Sequence, residues 1–265
     1  MVPRVLSASQ LTTFLMCARK WAFRYVEEAA PEFRSSALAF GSAVHSALEW
    51  IHLEKLEGRA PDPDVAARIF RADWTAETEG ALRWKEGEAA DDLRDKGEAL
   101  VRLYIEKYRE TSIQVAELPF EVDLIDPETG EVMEHRLRGY FDLLLPDDTL
   151  VEIKTSARRF DEENLRRRIQ LSAYAYTYRR MYGRDPRIVV VTLLKTKKPA
   201  IEEAATPRTK EDDAFFVHLA SEVARGIDAG AFPPNPGVFC RDCEHQTSCA
   251  AWRGAIRPAA MEVSP

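Results

Sequence analysis

The first part of the chain carries apolar residues at helical spacing. One helix is predicted in QLTTFLMCARKWAFRYV (residues 10–26), where apolar residues recur every three or four positions and Ser7 and Ser9 are candidate N-terminal caps. A second helix is predicted from about residue 41 to 57. Residues 64–110 are predicted to be helical throughout, with a break near Gly87.

The period then shortens to that of strands. Strands are predicted over 113–126, 134–145, 150–155 and 187–195, and helices over 161–182 and 209–229. This order predicts an α/β fold with a small mixed β-sheet flanked by helices. We expect a single domain over 1–265, with a helical insertion at 60–112 and a cysteine-rich tail at 232–253.

Charged residues interrupt two apolar strands in GYFDLLLPDDTLVEIKTS, residues 139–156. The turn-forming residues 146–149 predict a hairpin, yet Asp142, Glu152 and Lys154 lie inside its apolar runs. Ionised side chains are rarely buried in strands unless they are paired or bind a metal. Hard carboxylate ligands for Mg²⁺ or Mn²⁺ beside a lysine are the parts that phosphodiester hydrolysis needs. A surface Glu–Lys pair on an edge strand explains Glu-x-Lys equally well when that pattern stands alone.

The register of this hairpin decides whether the acids can meet. Glu152 and Lys154 share one strand face because side chains alternate. If Leu145 paired with Leu150, Asp142 would face Ile153 and would point away from Glu152. A shared site therefore requires an odd-length loop or a bulge, and we predict such an irregularity.

Two helices supply further candidates. Gln170 and Tyr174 share a helix face with Arg166 one turn earlier, an arrangement that suits contacts to phosphates and bases. An amphipathic helix with a half-buried tyrosine explains that pattern better if it stands alone. His45 lies opposite the apolar face of its helix, and a lone helical histidine is more often an ordinary polar residue than a ligand.

The four cysteines form one pattern. Cys240, Cys243 and Cys249 are spaced C-x2-C-x5-C, and Cys17 is the remaining one. Four thiolates of this kind suit a 4Fe-4S cluster or Zn²⁺, and spacing alone leaves both open. A cluster would join the first helix to the C-terminal tail.

Charge and composition limit the class of protein. The net charge is −7, but residues 154–198 hold 13 Lys/Arg against 4 Asp/Glu, a candidate polyanion-facing surface or a solvated basic helix. No apolar run has the length of a membrane helix. The start MVPRVLSASQ lacks a secretory h-region, so we expect a cytoplasmic protein with reduced thiols and no membrane partner.

Together these motifs resemble the PD-(D/E)XK nuclease superfamily, in particular its iron–sulfur RecB-like exonuclease branch, which includes the AddB nuclease domain and the CRISPR adaptation nucleases. The resemblance covers nearly the whole chain: the opening helix with Cys17, GSAVHSALE, GYFD, VEIKTS, QLSAY and the C-terminal cysteines occur in the family's order. One departure is Ala18, where relatives often have proline.

The resemblance implies a restriction-endonuclease-like core and a role for each motif residue. His45, Asp142, Glu152 and the Ile153 carbonyl would bind Mg²⁺ or Mn²⁺, and Lys154 would be the catalytic lysine. Gln170 and Tyr174 would support the site or the DNA, with Arg166 and Arg167 as DNA contacts. A 4Fe-4S cluster, with zinc as the alternative, would be held by Cys17, Cys240, Cys243 and Cys249.

The function implied is a metal-dependent DNA nuclease acting on single strands or duplex ends in repair, recombination or CRISPR adaptation. The alternative is a non-catalytic iron–sulfur DNA-binding or assembly subunit of a recombination complex. The sequence contains no Gly-x4-Gly-Lys-Ser/Thr loop, so ATP-driven unwinding would require a helicase partner.

Overall fold

A computed structural model describes residues 4–126 and 129–255. Its nine α-helices within these ranges are α1 Ala8–Met16, α2 Ala18–Tyr25, α3 Ser36–Leu56, α4 Pro63–Thr78, α5 Ala90–Lys107, α6 Glu162–Arg166, α7 Ile169–Tyr182, α8 Lys210–Asp228 and α9 Gln246–Ala255. A short 3₁₀ helix spans Val238–Asp242. The strands are β1 Val5–Leu6, β2 Arg34–Ser35, β3 Leu82–Arg83, β4 Val115–Ile125, β5 Val132–Leu144, β6 Thr149–Ser156, β7 Arg187–Leu194 and β8 Ala200–Ala205.

Six of the strands form one mixed sheet. β4 pairs antiparallel along most of β5, while β1 and β6 pair with different parts of β5, at Arg136–Leu137 and Leu143–Leu144 respectively. β6 and β7 are parallel, and β8 closes the sheet antiparallel to β7. The predicted mixed α/β architecture is therefore confirmed.

Helices cover both faces of the sheet. Alternate residues of the central strands enter different apolar clusters: Leu150 and Val190 pack with α1, α7 and α8, whereas Val151 and Val191 pack with α3, α4 and α5. This alternation is expected for a strand buried on both faces. The chemistry-bearing strands are thus held between two helical layers.

Two predicted helices are interrupted. The first ends at Met16 because Cys17 is extended (φ −164°, ψ 107°), and its sulfur then accepts a hydrogen bond from the Lys20 N–H at the start of α2. The helix predicted over 161–182 is divided into α6 and α7, and Gly183 ends α7 in the left-handed conformation (φ 69°). β8 was absent from the sequence prediction. The turn predicted at 127–130 lies partly outside the described residues.

The predicted helical insertion corresponds to α4, β3 and α5. α4 packs on α3 and α5, and α5 also reaches the sheet at β8. None of the described helices is both long and apolar enough to span a bilayer.

Candidate active site

The hairpin of β5 and β6 has the irregular register that the sequence requires. Leu143 pairs with Val151 and Leu144 with Leu150, so continuing this register places Asp142 opposite Glu152. The Leu145 N–H donates to the Thr149 carbonyl at 2.9 Å, which leaves an odd loop of residues 146–148. The prediction of an odd loop is confirmed.

Asp142 lies where the regular ladder between β5 and β6 ends. Its Oδ2 accepts a hydrogen bond from the Ile153 N–H at 2.7 Å, taking the place of a backbone carbonyl. Burial raises the pKa of the Asp142 carboxyl well above its usual range, and the nearby Glu152 carboxylate raises it further. A cation at this carboxylate would therefore compete with a proton.

Glu152 and Lys154 form an ion pair two residues apart on β6. The Glu152 side chain is only 1% exposed, whereas that of Lys154 is 30% exposed. The Lys154 ammonium contacts the Glu152 carboxylate, and the Tyr174 hydroxyl lies beside it. A carboxylate buried in this way requires a neighbouring positive charge, and Lys154 supplies one.

His45 brings α3 to the same strand. Its Nε2 lies 3.2 Å from the Ile153 carbonyl oxygen. Burial lowers the pKa of His45, and the Lys154 ammonium lowers it further. The neutral imidazole, which is the form that binds metals, is thereby favoured.

Gln170 and Tyr174 meet on α7. The Gln170 Nε2 donates to the Tyr174 hydroxyl at 3.0 Å, and the Tyr174 ring packs against Phe141 at 5.1 Å between centroids. Burial raises the pKa of Tyr174 well above its usual value, and Glu152 and Asp142 raise it further. The phenol therefore adjoins both acids.

The predicted DNA-contacting arginines lie apart from this buried group. Arg166 and Arg167 have side chains 78% and 77% exposed, and each pairs with a glutamate of α6. Arg168, which the sequence analysis did not select, is half-buried over the Phe160 ring at 4.0 Å. Burial lowers the pKa of Arg168 while the Glu152 carboxylate opposes that shift, so the Arg168 charge acts on Glu152. In the sequence, Arg168 could have been recognised only as the last of three consecutive arginines, residues 166–168.

Glu117 was also missed. Ligand atoms of His45, Glu117 and Asp142 all lie within 4.8 Å of one another, and no other group of three such residues among those described is this close. Its signal was an acid within the apolar segment VAELPF, the same kind of signal that identified Asp142.

The four cysteines surround a second location. All four line a cavity of about 580 Å³ between α2 and the C-terminal tail, and none forms a disulfide. Cys17 Sγ accepts hydrogen bonds from the Lys20 and Asn235 N–H groups, and Cys240 Sγ accepts one from Gly237, each at 3.5 Å. The remote Cys17 is thus brought to the C-terminal three.

Comparison with known proteins agrees with this geometry. A solved structure described as a "putative exonuclease" from Eubacterium rectale can be superposed on this chain with a TM-score of 0.58 at 16% sequence identity. The superposition covers 98% of this chain and 91% of the other chain, which shows a shared fold. The superposition on a second solved structure, described as SSO0001, covers 95% of this chain and 88% of the other, with a TM-score of 0.43 and 14% sequence identity. No curated protein matches the chain. The model of one family matches residues 5–250, and the chain therefore belongs to the PD-(D/E)XK nuclease superfamily.

Proposed function

We propose that this protein is a metal-dependent DNA nuclease that hydrolyses phosphodiester bonds. The observation that carries the proposal is the meeting of Asp142, Glu152 and Lys154 at the end of the β5–β6 ladder. A module that only binds DNA has no need for a buried glutamate paired with a lysine beside a half-buried aspartate. The superfamily membership supports nuclease chemistry independently.

The donor set suits Mg²⁺ or Mn²⁺. Carboxylate and carbonyl oxygens are the ligands that these ions prefer, and a neutral imidazole is compatible with Mn²⁺. His45, Asp142, Glu152 and the Ile153 carbonyl would hold the ion, which when bound supplies charge to polarise the phosphate and to acidify a water.

The chain's own groups have separate tasks in this proposal. Lys154 orients the attacking water or offsets negative charge on the phosphate, since its ammonium is partly exposed beside Glu152. Tyr174 and Gln170 hold the acids in place from α7. Arg168 supplies a cation for a phosphate near the acids, and the exposed Arg166 and Arg167 contact the backbone farther along the strand.

We further propose that the cysteines hold a 4Fe-4S cluster, as in the RecB-like branch. The four cysteines line one cavity of about 580 Å³, which has room for a cluster of this size. The N–H donors to sulfur would stabilise the thiolates.

The substrate proposed is single-stranded DNA or a duplex end, in repair, recombination or CRISPR adaptation, with a helicase as partner where unwinding is needed. The exonuclease description of the Eubacterium rectale protein supports an end-directed activity. The cytoplasmic location expected from the sequence remains a prediction.

End-labelled single strands, blocked at one end or the other, test this function with Mg²⁺ or Mn²⁺. Asp142→Asn should lower the cleavage rate by roughly 10²–10³-fold because it weakens the binding of the metal ion, and Lys154→Gln should lower it similarly because it removes the cation beside the reacting phosphate. Asp123→Asn is the matched control, since Asp123 pairs with Arg136 on the exposed part of β4.

One outcome would contradict the nuclease, and another would contradict the role of Asp142. If the wild type and Asp142→Asn both bind single strands and duplexes but cleave neither, the result favours the alternative function, a non-catalytic DNA-binding subunit. Full activity in Asp142→Asn would instead remove this carboxylate from the mechanism. Circular dichroism confirms that each variant is folded.

A further inference from the structure

We propose that Glu117 contributes its carboxylate to the divalent cation site, together with His45 and Asp142. This inference rests on the proposed metal dependence and adds a residue of β4 that the motifs do not include. The site would then draw side-chain ligands from α3 and from three neighbouring strands, β4, β5 and β6.

Register places Glu117 beside Asp142. Ala116 pairs with Leu143 and Leu118 with Phe141, so Glu117 lies directly opposite Asp142 across the β4–β5 ladder. The group of ligand atoms within 4.8 Å accordingly contains Glu117 and Asp142, with His45 completing it.

The backbone of Glu117 is held in an unfavourable conformation. Its φ is +48°, in the left-handed region that non-glycine residues seldom occupy, although it is the third residue of β4. Such a conformation costs about 1–3 kcal/mol, and these conformations cluster at active sites and ligand clamps. A glutamate is a poor choice for this position on conformational grounds, so its carboxylate is the feature that explains its presence.

The charges around Glu117 favour a cation. Its acidic neighbours are Glu49, Asp142 and Glu152, and Glu117 forms no ion pair with any lysine or arginine within 4–126 and 129–255. Glu152 is 1% exposed and pairs with Lys154. Lys154 contacts Glu152 alone of these carboxylates, so a divalent cation would offset the remaining negative charge.

Mn²⁺ binding in the absence of DNA tests the inference apart from catalysis. Electron paramagnetic resonance of free Mn²⁺ gives the dissociation constant for the wild type, Glu117→Gln and Glu117→Asn. Each variant should bind Mn²⁺ at least about tenfold more weakly, the loss that follows removal of a supporting group at a metal site. Asn tolerates a positive φ, so Glu117→Asn keeps the fold while removing the carboxylate.

Glu121→Gln is the matched control, because Glu121 lies on the same strand but pairs with Arg136 and Arg138. It should bind Mn²⁺ within twofold of the wild type, whereas Asp142→Asn should lose binding. Wild-type affinity in both Glu117 variants would overturn the role of Glu117 and leave the nuclease intact. A wild type that binds no Mn²⁺ and cleaves DNA in EDTA would overturn both proposals.

Discussion

His52 shows how burial of one residue links stability to pH. It is 2% exposed, and its Nε2 lies 2.9 Å from the Tyr104 hydroxyl beside a cavity of about 840 Å³ that the buried acids do not line. Burial lowers the pKa of His52 from 6.5 to about 3, with Lys55 and His45 adding to the shift. In the unfolded chain His52 is therefore protonated below about pH 6.5, whereas in the folded chain it stays neutral until the pH falls to about 3.

Stability from His52 is thus complete above pH 6.5 and is lost as the pH falls toward 3. Between pH 7 and pH 5 the loss should be about 2 kcal/mol. The amide of His52→Gln can still form a hydrogen bond with Tyr104 but does not titrate. Between pH 7 and pH 5 the free energy of unfolding of this variant should therefore fall by about 2 kcal/mol less than that of the wild type. Urea unfolding at both pH values measures the difference.

The exposed His218 provides the control for this measurement. His218→Gln should follow the wild-type pH dependence. Parallel profiles for the wild type and His52→Gln would show that His52 is protonated equally in the folded and unfolded chains, contrary to its burial.

At the same scale, the sequence identified some site residues and missed others for a physical reason. Asp142, Glu152 and Lys154 are charges in strongly apolar runs, and their pattern is local. Glu117 can be recognised only when the pairing register of β4 with β5 is known, and Arg168 only when the break between α6 and α7 is known. Their roles depend on contacts between segments, which periodicity does not contain.

Packing between α4 and α5 depends on a glycine. Gly97 lies in the middle of α5, and a Cβ added there would come within 1.9 Å of the Phe70 Cζ on α4. Phe70 is fully buried and packs edge-on against Phe40 of α3. Gly97→Ala should therefore destabilise the protein by about 1–3 kcal/mol, although alanine favours an ordinary helix interior. Thermal unfolding measures this loss.

A double-mutant cycle tests the cause. In a Phe70→Leu background the ring is absent, so Gly97→Ala should become neutral or should stabilise by up to about 1 kcal/mol. An equal cost of Gly97→Ala in both backgrounds would mean that the clash with Phe70 is not its source.

Element boundaries show which local signals are decisive. Apolar periodicity continues through Cys17 and through 167–168, so the sequence predicts unbroken helices there. β8 escaped prediction because AIEEAA carries two adjacent glutamates and forms a partly exposed edge strand. The break near Gly87 and the end at Gly183 were predicted correctly, because glycine at φ 75° and 69° is a strong local signal.

At the scale of the whole molecule, the N- and C-terminal segments are joined through the cysteine cavity. The Arg19 N–H donates to the Pro233 carbonyl at 3.3 Å, the Glu32 N–H to Glu244 at 2.9 Å, and Lys20 pairs with Glu244 at 2.7 Å. These contacts bring Cys17 to residues 223 positions later in the chain. The division into a core, an insertion and a tail remains a prediction.

The proposed cluster predicts a shared loss of colour and stability. Cys17→Ser should abolish the broad visible absorption and bound iron of the anaerobically purified protein, and should lower its thermal midpoint by roughly 2–4 °C per kcal/mol lost. The destabilisation follows because the cluster closes a very long loop in the folded state. Iron and sulfide analysis, with visible spectra and thermal unfolding, measures the outcome.

Ser248→Ala is the matched control, since Ser248 adjoins Cys249 on α9 without a thiol. It should keep both iron and colour, and Cys240→Ser should behave like Cys17→Ser. A colourless wild type containing stoichiometric zinc would assign the cysteines to zinc instead of iron. A wild type free of both metals, with an unchanged midpoint in Cys17→Ser, would contradict the cluster and leave the tail held by its hydrogen bonds and ion pairs.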